Sequence, residues 1–262
     1  MTILDKIIEN KRAEIEELKT QISIEHLIQE SGFWHTTISL RNSLASSNTG
    51  IIAEFKRKSP SKGYINESAQ VSDIIPGYAD FGASGISILQ DNTFFAGGST
   101  DLIAARPLVN VPLLYKEFII DEYQIIMAKA YGADAILLIA AVLTVEQCAT
   151  LAQKAHQLGL ETLLELHDPS EINHINNDID MVGINNRNLK TFEVDIEASI
   201  RLCHSIPNEF LKISESGISQ PETVVKLRNE GFQGFLMGEN FMKTENPPLT
   251  LKKFIEDVKT LQ

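Results

Sequence analysis

Cysteine, basic residues and long apolar runs are scarce in this sequence, and each scarcity narrows what the protein can be. The chain has 262 residues and only two cysteines. Cys148 and Cys203 lie far apart and form no CxxC pair, so we expect buried small side chains in a reducing compartment. No apolar run approaches the roughly 18 residues of a membrane-spanning helix. The charged, helix-patterned N-terminus is unlike a signal peptide, and we expect a cytoplasmic protein without a membrane partner.

Basic residues number 23 against 35 acidic residues, which gives a formal net charge of -12 and a pI of about 5.0. Such an acidic surface argues against nucleic acid as a partner. It is compatible with an anionic small molecule if positive charge is concentrated in one cleft. The six histidines lie at no metal-ligand spacing, so we expect no metal site.

The feature that the sequence does contain is a regular alternation of apolar runs with segments of helical periodicity. Strands that are apolar throughout and alternate with helices indicate a parallel sheet covered by helices. The predicted strands are 51–55, 85–89, 111–115, 135–140, 162–166, 181–184, 210–213 and 234–237. The predicted helices between and after them are 71–81, 101–106, 123–131, 145–158, 170–175, 196–204, 221–229 and 249–261.

Eight such units predict an α/β fold, a closed (β/α)8 TIM barrel. A doubly wound open sheet is the alternative, but the number of units and the lack of a Gly-x-Gly-x-x-Gly motif after a strand disfavour it. Residues 1–48 are expected to form an N-terminal helical extension, with helices at 2–20, 24–30 and 38–44. We predict a single barrel domain over residues 1–262.

Residues 51–63 begin as a buried strand and end as a basic loop. Glu54 and Lys56 are two residues apart, so they point to the same face of the strand. An acid and a base on an inner face are unfavourable unless they pair or meet a ligand. The alternatives are a structural ion pair and a site for an anionic substrate, and the basic loop favours the site. We expect this loop to be mobile when empty and to direct its charges, including Arg57, at the substrate.

Polar side chains follow every predicted strand except the fourth. A barrel of this kind carries its active site at the C-terminal ends of its strands. The polar residues that we single out there are Glu54, Lys56, Ser59, Lys116, Glu165, Asn185, Arg187, Glu215, Ser216 and Glu239. Three apolar side chains, Phe95, Phe118 and Leu137, would form either a flat wall for an aromatic substrate or ordinary core.

The segments after the seventh and eighth predicted strands indicate a phosphate site. Gly217 and Gly238 lie in these segments, where barrels of this kind commonly bind phosphate. Glycine allows backbone N–H groups to approach an anion closely, and a side chain at Gly217 is expected to block that approach. Glycines at the entry to a helix are also common for packing reasons.

Five motifs, taken in order, resemble one family. They are Glu54-x-Lys56-x-x-Ser59-Pro60-Ser61, Lys116-x-Phe118, Glu165-x-His167, Gly183-Ile184-Asn185-Asn186-Arg187-Asn188-Leu189 and Ser214-Glu215-Ser216-Gly217-Ile218. In these motifs, and in its opening segment ILDKIIENKRAEIEELK, the chain closely resembles indole-3-glycerol phosphate synthase, the barrel lyase of tryptophan biosynthesis. The resemblance runs nearly end to end and includes no second, fused barrel.

The resemblance implies that 1-(2-carboxyphenylamino)-1-deoxyribulose 5-phosphate is converted to indole-3-glycerol phosphate, CO2 and water, without a cofactor or metal. It implies Lys116 as the general acid at the ketone oxygen. It implies Glu165 as the general base or the stabiliser of the cationic intermediate. It implies Lys56 as a catalytic residue that binds the anthranilate carboxylate and could also take part in proton transfer. Glu54, Asn185 and Glu215 would orient the lysines and the sugar. The substrate-binding and phosphate-binding positions would be Ser59, Phe95, Phe118, Leu137, Arg187, Leu189, Ser216, Gly217, Gly238 and Glu239.

Two other functions stay open on the residues alone. A Schiff-base aldolase would use Lys116 or Lys56 on a phosphosugar ketone. A barrel that binds phosphosugars without catalysis would be expected to have lost some of Lys56, Lys116 and Glu165, and all three are present. We expect the protein to act on a small anionic substrate and to be a monomer.

Overall fold

The computed structural model describes residues 2–188 and 193–262 of the chain. Its strands are β1 (Ile51–Phe55), β2 (Lys58–Ser59), β3 (Gly63–Tyr64), β4 (Gly85–Leu89), β5 (Leu113–Lys116), β6 (Ala135–Ile139), β7 (Glu161–Leu166), β8 (Met181–Asn185), β9 (Leu211–Glu215) and β10 (Gly234–Met237). Eight of them form a closed parallel barrel in the order β1-β10-β9-β8-β7-β6-β5-β4, and β2 pairs antiparallel with β3. The predicted barrel is confirmed. The open sheet is excluded because β1 pairs with both β4 and β10.

Helices surround the barrel and precede it. They are α1 (Ile3–Gln21), α2 (Ile24–Gln29), α3 (Leu40–Ser46), α4 (Val71–Asp80), α5 (Asn92–Phe95), α6 (Ser99–Ala105), α7 (Glu122–Ala130), α8 (Val145–Gln157), α9 (Ile196–Cys203), α10 (Pro221–Asn229), α11 (Glu239–Met242) and α12 (Pro247–Leu261). Short 3-10 helices cover Ser31–Trp34, Arg106–Leu108 and Pro169–His174. None of the described helices is long and apolar enough to cross a membrane.

The structure differs from the predicted elements in a few places. The predicted helix 170–175 is a 3-10 helix with a proline at its start, capped by Asp168. The predicted strand 111–115 begins later, at Leu113, because Pro112 has no N–H group for the ladder, and it continues to Lys116. The hairpin of β2 and β3 and the short helices α5 and α11 were missed, since elements of two to four residues show no periodicity.

Alternating side chains along the strands divide the core into two layers. In β1, Ile51, Ala53 and Phe55 pack outward against the helices, and Ile52 packs inside the barrel. Glu54 shares the inner face with Ile52 and lies nearer the C-terminal end of the strand. The same alternation that builds the core therefore places a carboxylate inside the barrel mouth.

Helix α3 of the N-terminal extension closes the opposite end of the barrel. Leu40 and Leu44 of α3 belong to the inner layer of the core and are almost fully buried. They fit because Gly85 and Gly234, at the starts of β4 and β10, carry no side chain in their way: a Cβ at Gly85 would lie 2.5 Å from Leu40 Cδ1. This end of the barrel is filled with apolar side chains, which leaves the C-terminal end for a site.

Candidate active site

A cavity of about 430 Å³ opens at the C-terminal ends of the barrel strands. Cavities of this size suit small molecules. Every predicted site residue within the described part of the chain lines it: Glu54, Lys56, Ser59, Phe95, Lys116, Phe118, Leu137, Glu165, Asn185, Arg187, Glu215, Ser216, Gly217, Gly238 and Glu239. Leu189, predicted to bind substrate, lies outside the described residues.

Glu54 and Lys56 form an ion pair at the end of β1. Lys56 Nζ lies 2.5 Å from Glu54 Oε1, and both side chains are largely buried. Gly238, directly after β10, provides the space, since a Cβ there would lie 2.5 Å from Glu54 Oε1. The two alternatives left open by the sequence are therefore compatible, because the pair forms and also lines the cavity.

Lys116 ends β5 and places its ammonium group between two buried carboxylates. Its Nζ lies 2.7 Å from Glu215 Oε2 and 3.3 Å from Glu165 Oε2. Glu215 is 1% exposed and Glu165 is 4% exposed. The three side chains come from β5, β7 and β9, so the barrel alone brings them together. A buried cation held in this way keeps a fixed position, as a general acid requires.

Gly183 in the middle of β8 leaves the space that Glu215 occupies. A Cβ on Gly183 would lie 2.2 Å from Glu215 Oε1 and 3.2 Å from Leu163 Cδ1. Glu215 therefore crosses the inner surface of β8 to reach Lys116. Any side chain at residue 183 would force the carboxylate out of its place.

The three charged groups differ in their affinity for protons. Burial raises the pKa of Glu215 although Lys116 opposes that shift. Burial would also raise the pKa of Glu165, but Lys116 and His167 hold it well below the usual range. Burial disfavours the charged form of Lys116, yet the carboxylates of Glu215, Glu165 and Glu54 raise its pKa. At neutral pH the site thus holds an ammonium, an ionised Glu165 and a second carboxyl group that takes up protons more readily.

Two side chains hold Glu165 from the other side. Asn185 Nδ2 donates to Glu165 Oε1 over 3.2 Å. His167 Nε2 lies 3.1 Å from the same oxygen, and the backbone N–H of His167 donates to Glu171 over 2.6 Å. The structure thus places His167, which follows β7, directly against the carboxylate.

The opposite wall of the cavity is apolar. The rings of Phe95 and Phe118 lie with their centroids 6.1 Å apart and a tilt of 38° between their planes. Leu137 and Ile139 of β6 line the cavity, so the strand that offered no polar end supplies an apolar surface. Three side chains of α1, Ile3, Leu4 and Ile7, also line the cavity, so this helix packs over the C-terminal face of the barrel. The wall suits a flat aromatic group.

The segment after β9 has an unusual backbone. Ser216 and Gly217 both have positive φ angles, of 70° and 72°. A Cβ on Gly217 would lie 2.4 Å from Val194 Cγ1. The expectation that a side chain at Gly217 would mainly obstruct an anion was incomplete, because the left-handed backbone and the contact with Val194 already require glycine.

Comparisons with known proteins show the family. Residues 4–254 match the family model for indole-3-glycerol phosphate synthase. A curated protein of Bacteroides thetaiotaomicron with that name is 53% identical over 256 residues, which cover 98% of this chain and 98% of the relative.

The chain belongs to the indole-3-glycerol phosphate synthase family.

Membership of the indole-3-glycerol phosphate synthase family confirms the resemblance found in the sequence. The function is that of a carboxy-lyase of tryptophan biosynthesis, which forms indole-3-glycerol phosphate.

More distant solved structures share the fold alone. A tryptophan synthase complex of Pyrococcus furiosus aligns with a TM-score of 0.59 at 17% identity, covering 81% of this chain and 98% of that chain. Thiamine phosphate pyrophosphorylase of the same organism aligns with a TM-score of 0.62 at 14% identity, covering 85% and 99%.

The basic loop after β1 is only partly available to a substrate. Arg57 donates to both carboxylate oxygens of Asp101, at 2.6 and 2.9 Å, and to the carbonyl of Ala69. The prediction that Arg57 directs its charge at the substrate was therefore wrong, because its charge is neutralised within the protein. Lys62 pairs with Glu239, so the loop reaches the segment after β10 across the cavity mouth.

At two of the predicted polar positions, Ser59 and Glu239, only the structure shows which group is available to a ligand. The hydroxyl of Ser59 is buried and has no hydrogen-bond partner among the described residues. The carboxylate of Glu239 is occupied by Lys62, so only its backbone suits an anion. In the described part of the chain, no group of three or more His, Cys, Asp or Glu side chains is arranged to hold a metal ion.

Sequence reasoning assigned no role to two residues next to the site. Lys11 of α1 is 1% exposed and pairs with Glu117, which lines the cavity. Asn186, 3% exposed, joins the segments after β8 and β9. The second asparagine of the Asn185-Asn186 pair was a visible signal for Asn186. A lysine on a predicted surface helix gave no such signal, since most lysines at helical spacing are solvated.

Proposed function

We propose that the chain binds 1-(2-carboxyphenylamino)-1-deoxyribulose 5-phosphate in this cavity and that Lys116 protonates its ketone oxygen. The observation that supports the proposal is the ammonium of Lys116, fixed between Glu215 and Glu165 at one side of a cavity whose other wall is apolar. Protonation makes the carbonyl carbon electrophilic, and the aromatic carbon that bears the carboxylate attacks it. A positioned acid of this kind accelerates such a step by about 10²–10⁴-fold.

Glu165 acts on the charge that develops next. When the ring carbon attacks, positive charge builds up on the ring nitrogen, and an ionised carboxylate close to it stabilises that charge. The lowered pKa of Glu165 keeps it ionised at neutral pH. The attacking ring carbon then loses CO2, and the released electron pair neutralises the positive charge on the nitrogen. The hydroxyl group formed from the ketone takes up a proton and leaves as water, and the adjacent CH2 carbon loses a proton to give the indole. Glu165 is the group that accepts the proton released on aromatisation.

Charge distribution around the cavity orients the substrate. The anthranilate ring lies against Phe95 and Phe118, and Lys56 binds its carboxylate. The phosphate lies at the other edge, near Arg187 and the backbone of Ser216 and Gly217. The cavity has an apolar wall with a basic group at each end. These features complement a flat ring that carries an anionic group on each side.

A Schiff-base aldolase is a poorer interpretation of the same lysines. Imine formation requires a neutral, nucleophilic amine. The carboxylates around Lys116 raise its pKa, so the amine stays protonated and donates a proton instead. Borohydride treatment with substrate bound should leave the protein mass unchanged.

The test is direct turnover. The purified protein should convert 1-(2-carboxyphenylamino)-1-deoxyribulose 5-phosphate to a product with indole fluorescence and should release CO2 in equal amount. No indole product from folded protein would overturn the proposed reaction. We further propose that the protein acts as a cytoplasmic monomer. Sedimentation across a concentration series tests the monomer.

A further inference from the structure

Lys11 is a buried lysine outside the groups that touch the cavity. It lies on α1 and is 1% exposed. Its Nζ lies 2.7 Å from Glu14 Oε2, 2.9 Å from Glu117 Oε2 and 3.1 Å from Asp91 Oδ2. Asp91 and Glu117 are themselves buried and follow β4 and β5. One ammonium therefore joins the N-terminal extension to two strand ends of the barrel.

Each of these carboxylates uses its second oxygen to hold a turn that carries an aromatic ring. Glu117 Oε1 accepts the backbone N–H of Phe118 over 2.7 Å. Asp91 Oδ1 accepts the backbone N–H of Phe94 over 2.7 Å and caps the short helix that ends with Phe95. The rings of Phe95 and Phe118 are the two that face each other across the apolar wall.

We propose that Lys11 is a positioning residue for the aromatic part of the substrate, because it fixes the distance between the turns that carry Phe95 and Phe118. Lys11 itself does not line the cavity and acts only through Asp91 and Glu117. The inference rests on the proposed function, in which an anthranilate ring lies against these two side chains.

The electrostatics of the cluster support this arrangement. Burial raises the pKa of Glu117 to about 7, although Lys11 and the N–H of Phe118 draw it down. Without the ammonium, two buried carboxylates would face each other with no counter-charge, and they would separate or take up a proton. Either change moves a turn that carries a ring.

Lys11→Met tests the proposal, and Lys19→Met is the matched control. Lys19 lies on the same helix and also joins it to the barrel side, through Asp121 at 2.7 Å, but neither residue lines the cavity. Both variants lose a lysine that holds α1. Only Lys11→Met should raise KM, by about tenfold, since a displacement of about 1 Å in a positioning group is worth up to 10²-fold. Its kcat should change less than KM, because the wall binds the ring before and during reaction.

Inhibition by two fragments of the substrate separates positioning from general loosening. Anthranilate probes the aromatic end and inorganic phosphate probes the other end. In Lys11→Met the inhibition constant of anthranilate should rise about tenfold, in line with the displacement argument, and that of phosphate should stay at the wild-type value. Equal weakening of both, or the same KM in Lys11→Met and Lys19→Met, would overturn the proposal.

A second variant keeps the test valid if Lys11→Met does not fold. Lys11→Met/Glu117→Gln removes one of the two charges that the single substitution leaves unpaired, and the glutamine oxygen still accepts the N–H of Phe118. The same selective loss of anthranilate binding is expected, and its absence contradicts the proposal. If wild-type protein binds anthranilate but forms no indole product, the proposed reaction fails independently of Lys11.

Discussion

The side-chain amide of Asn186 donates a 2.7 Å hydrogen bond to the carbonyl oxygen of Ser216, a residue with a φ angle of 70°. The same amide nitrogen donates to Ser214 Oγ over 3.0 Å. A left-handed conformation costs a non-glycine residue about 1–2 kcal/mol. Asn186 therefore stabilises an unfavourable turn whose next residue, Gly217, lies at the expected phosphate end of the cavity.

Replacing Asn186 should weaken phosphate binding through this turn. Asn186→Ala is expected to raise KM and the inhibition constant of inorganic phosphate about tenfold, which corresponds to the ~1–2 kcal/mol of the left-handed conformation. Ser216→Gly removes that conformational preference. In a Ser216→Gly background, adding Asn186→Ala should therefore have little effect on phosphate inhibition. Equal losses in both backgrounds would contradict the explanation.

Gly183→Ala should lower kcat by more than its loss of unfolding free energy explains. The new methyl group would displace Glu215 and remove a contact of Lys116, so kcat should fall by about 10²-fold, the range for disturbed acid catalysis. Gly234→Ala is the control, since its Cβ would meet Ile213 and Leu44 instead. Both variants should lose about 1–3 kcal/mol of unfolding free energy from overpacking. Similar kcat values in the two would refute the role of the space above Gly183.

Lys116→Met should abolish general acid catalysis and leave the fold intact. The expected loss in kcat is about 10²–10⁴-fold, or roughly 3–5 kcal/mol of barrier. Lys212 is a matched control, because it lies on β9, is 7% exposed and does not line the cavity. Lys212→Met should keep wild-type kcat. Near-normal turnover by Lys116→Met would exclude it as the acid.

His167 should make stability depend on pH. Burial opposes its charge, but Glu165 and Glu171 raise the pKa of His167 above its ordinary value. A raised pKa in the folded state stabilises the protein fully below the unfolded value of about 6.5, and this contribution is lost as pH rises through the folded value. His167→Asn should thus lower the unfolding free energy more at about pH 5.5 than at about pH 9. NMR titration of the imidazole gives an independent check, and a midpoint below 6.5 would contradict it.

When a ligand binds, only one part of the loop after β1 should become more protected from hydrogen exchange. The backbone N–H groups of Ile65 and Asn66 donate to the carbonyl of Arg57, whose guanidinium is held by Asp101, so these two amides should exchange slowly in both states. Residues 58–64 form a two-stranded hairpin, and Lys62 in it makes an exposed ion pair with Glu239 that stabilises the loop by about 0–1 kcal/mol. Hydrogen exchange of 58–63 should slow when a product analogue is bound. Equal rates with and without it would remove the loop from the mechanism.

The sequence by itself determined the fold and most of the site. Eight apolar runs separated by segments of helical periodicity indicate a parallel sheet covered by helices. The number of runs favours a sheet that closes into a barrel. Because parallel strands all end at the same rim, polar residues after successive runs must meet there. That reasoning placed Lys116, Glu165 and Glu215 in one cavity without any coordinates.

The tertiary structure alone decided how the charges in that cavity are paired. Which acid holds Lys56 or Lys116, and whether Arg57 faces a ligand or Asp101, depends on distances between residues far apart in the chain. The space above Gly183 likewise depends on a neighbouring strand. Lys11 shows most clearly what sequence periodicity cannot predict. Its position in the helix is typical of a solvated lysine, but the packing of α1 against the barrel buries it between two carboxylates. Periodicity reports on which face of an element is buried, but it contains no information on which partner that face meets.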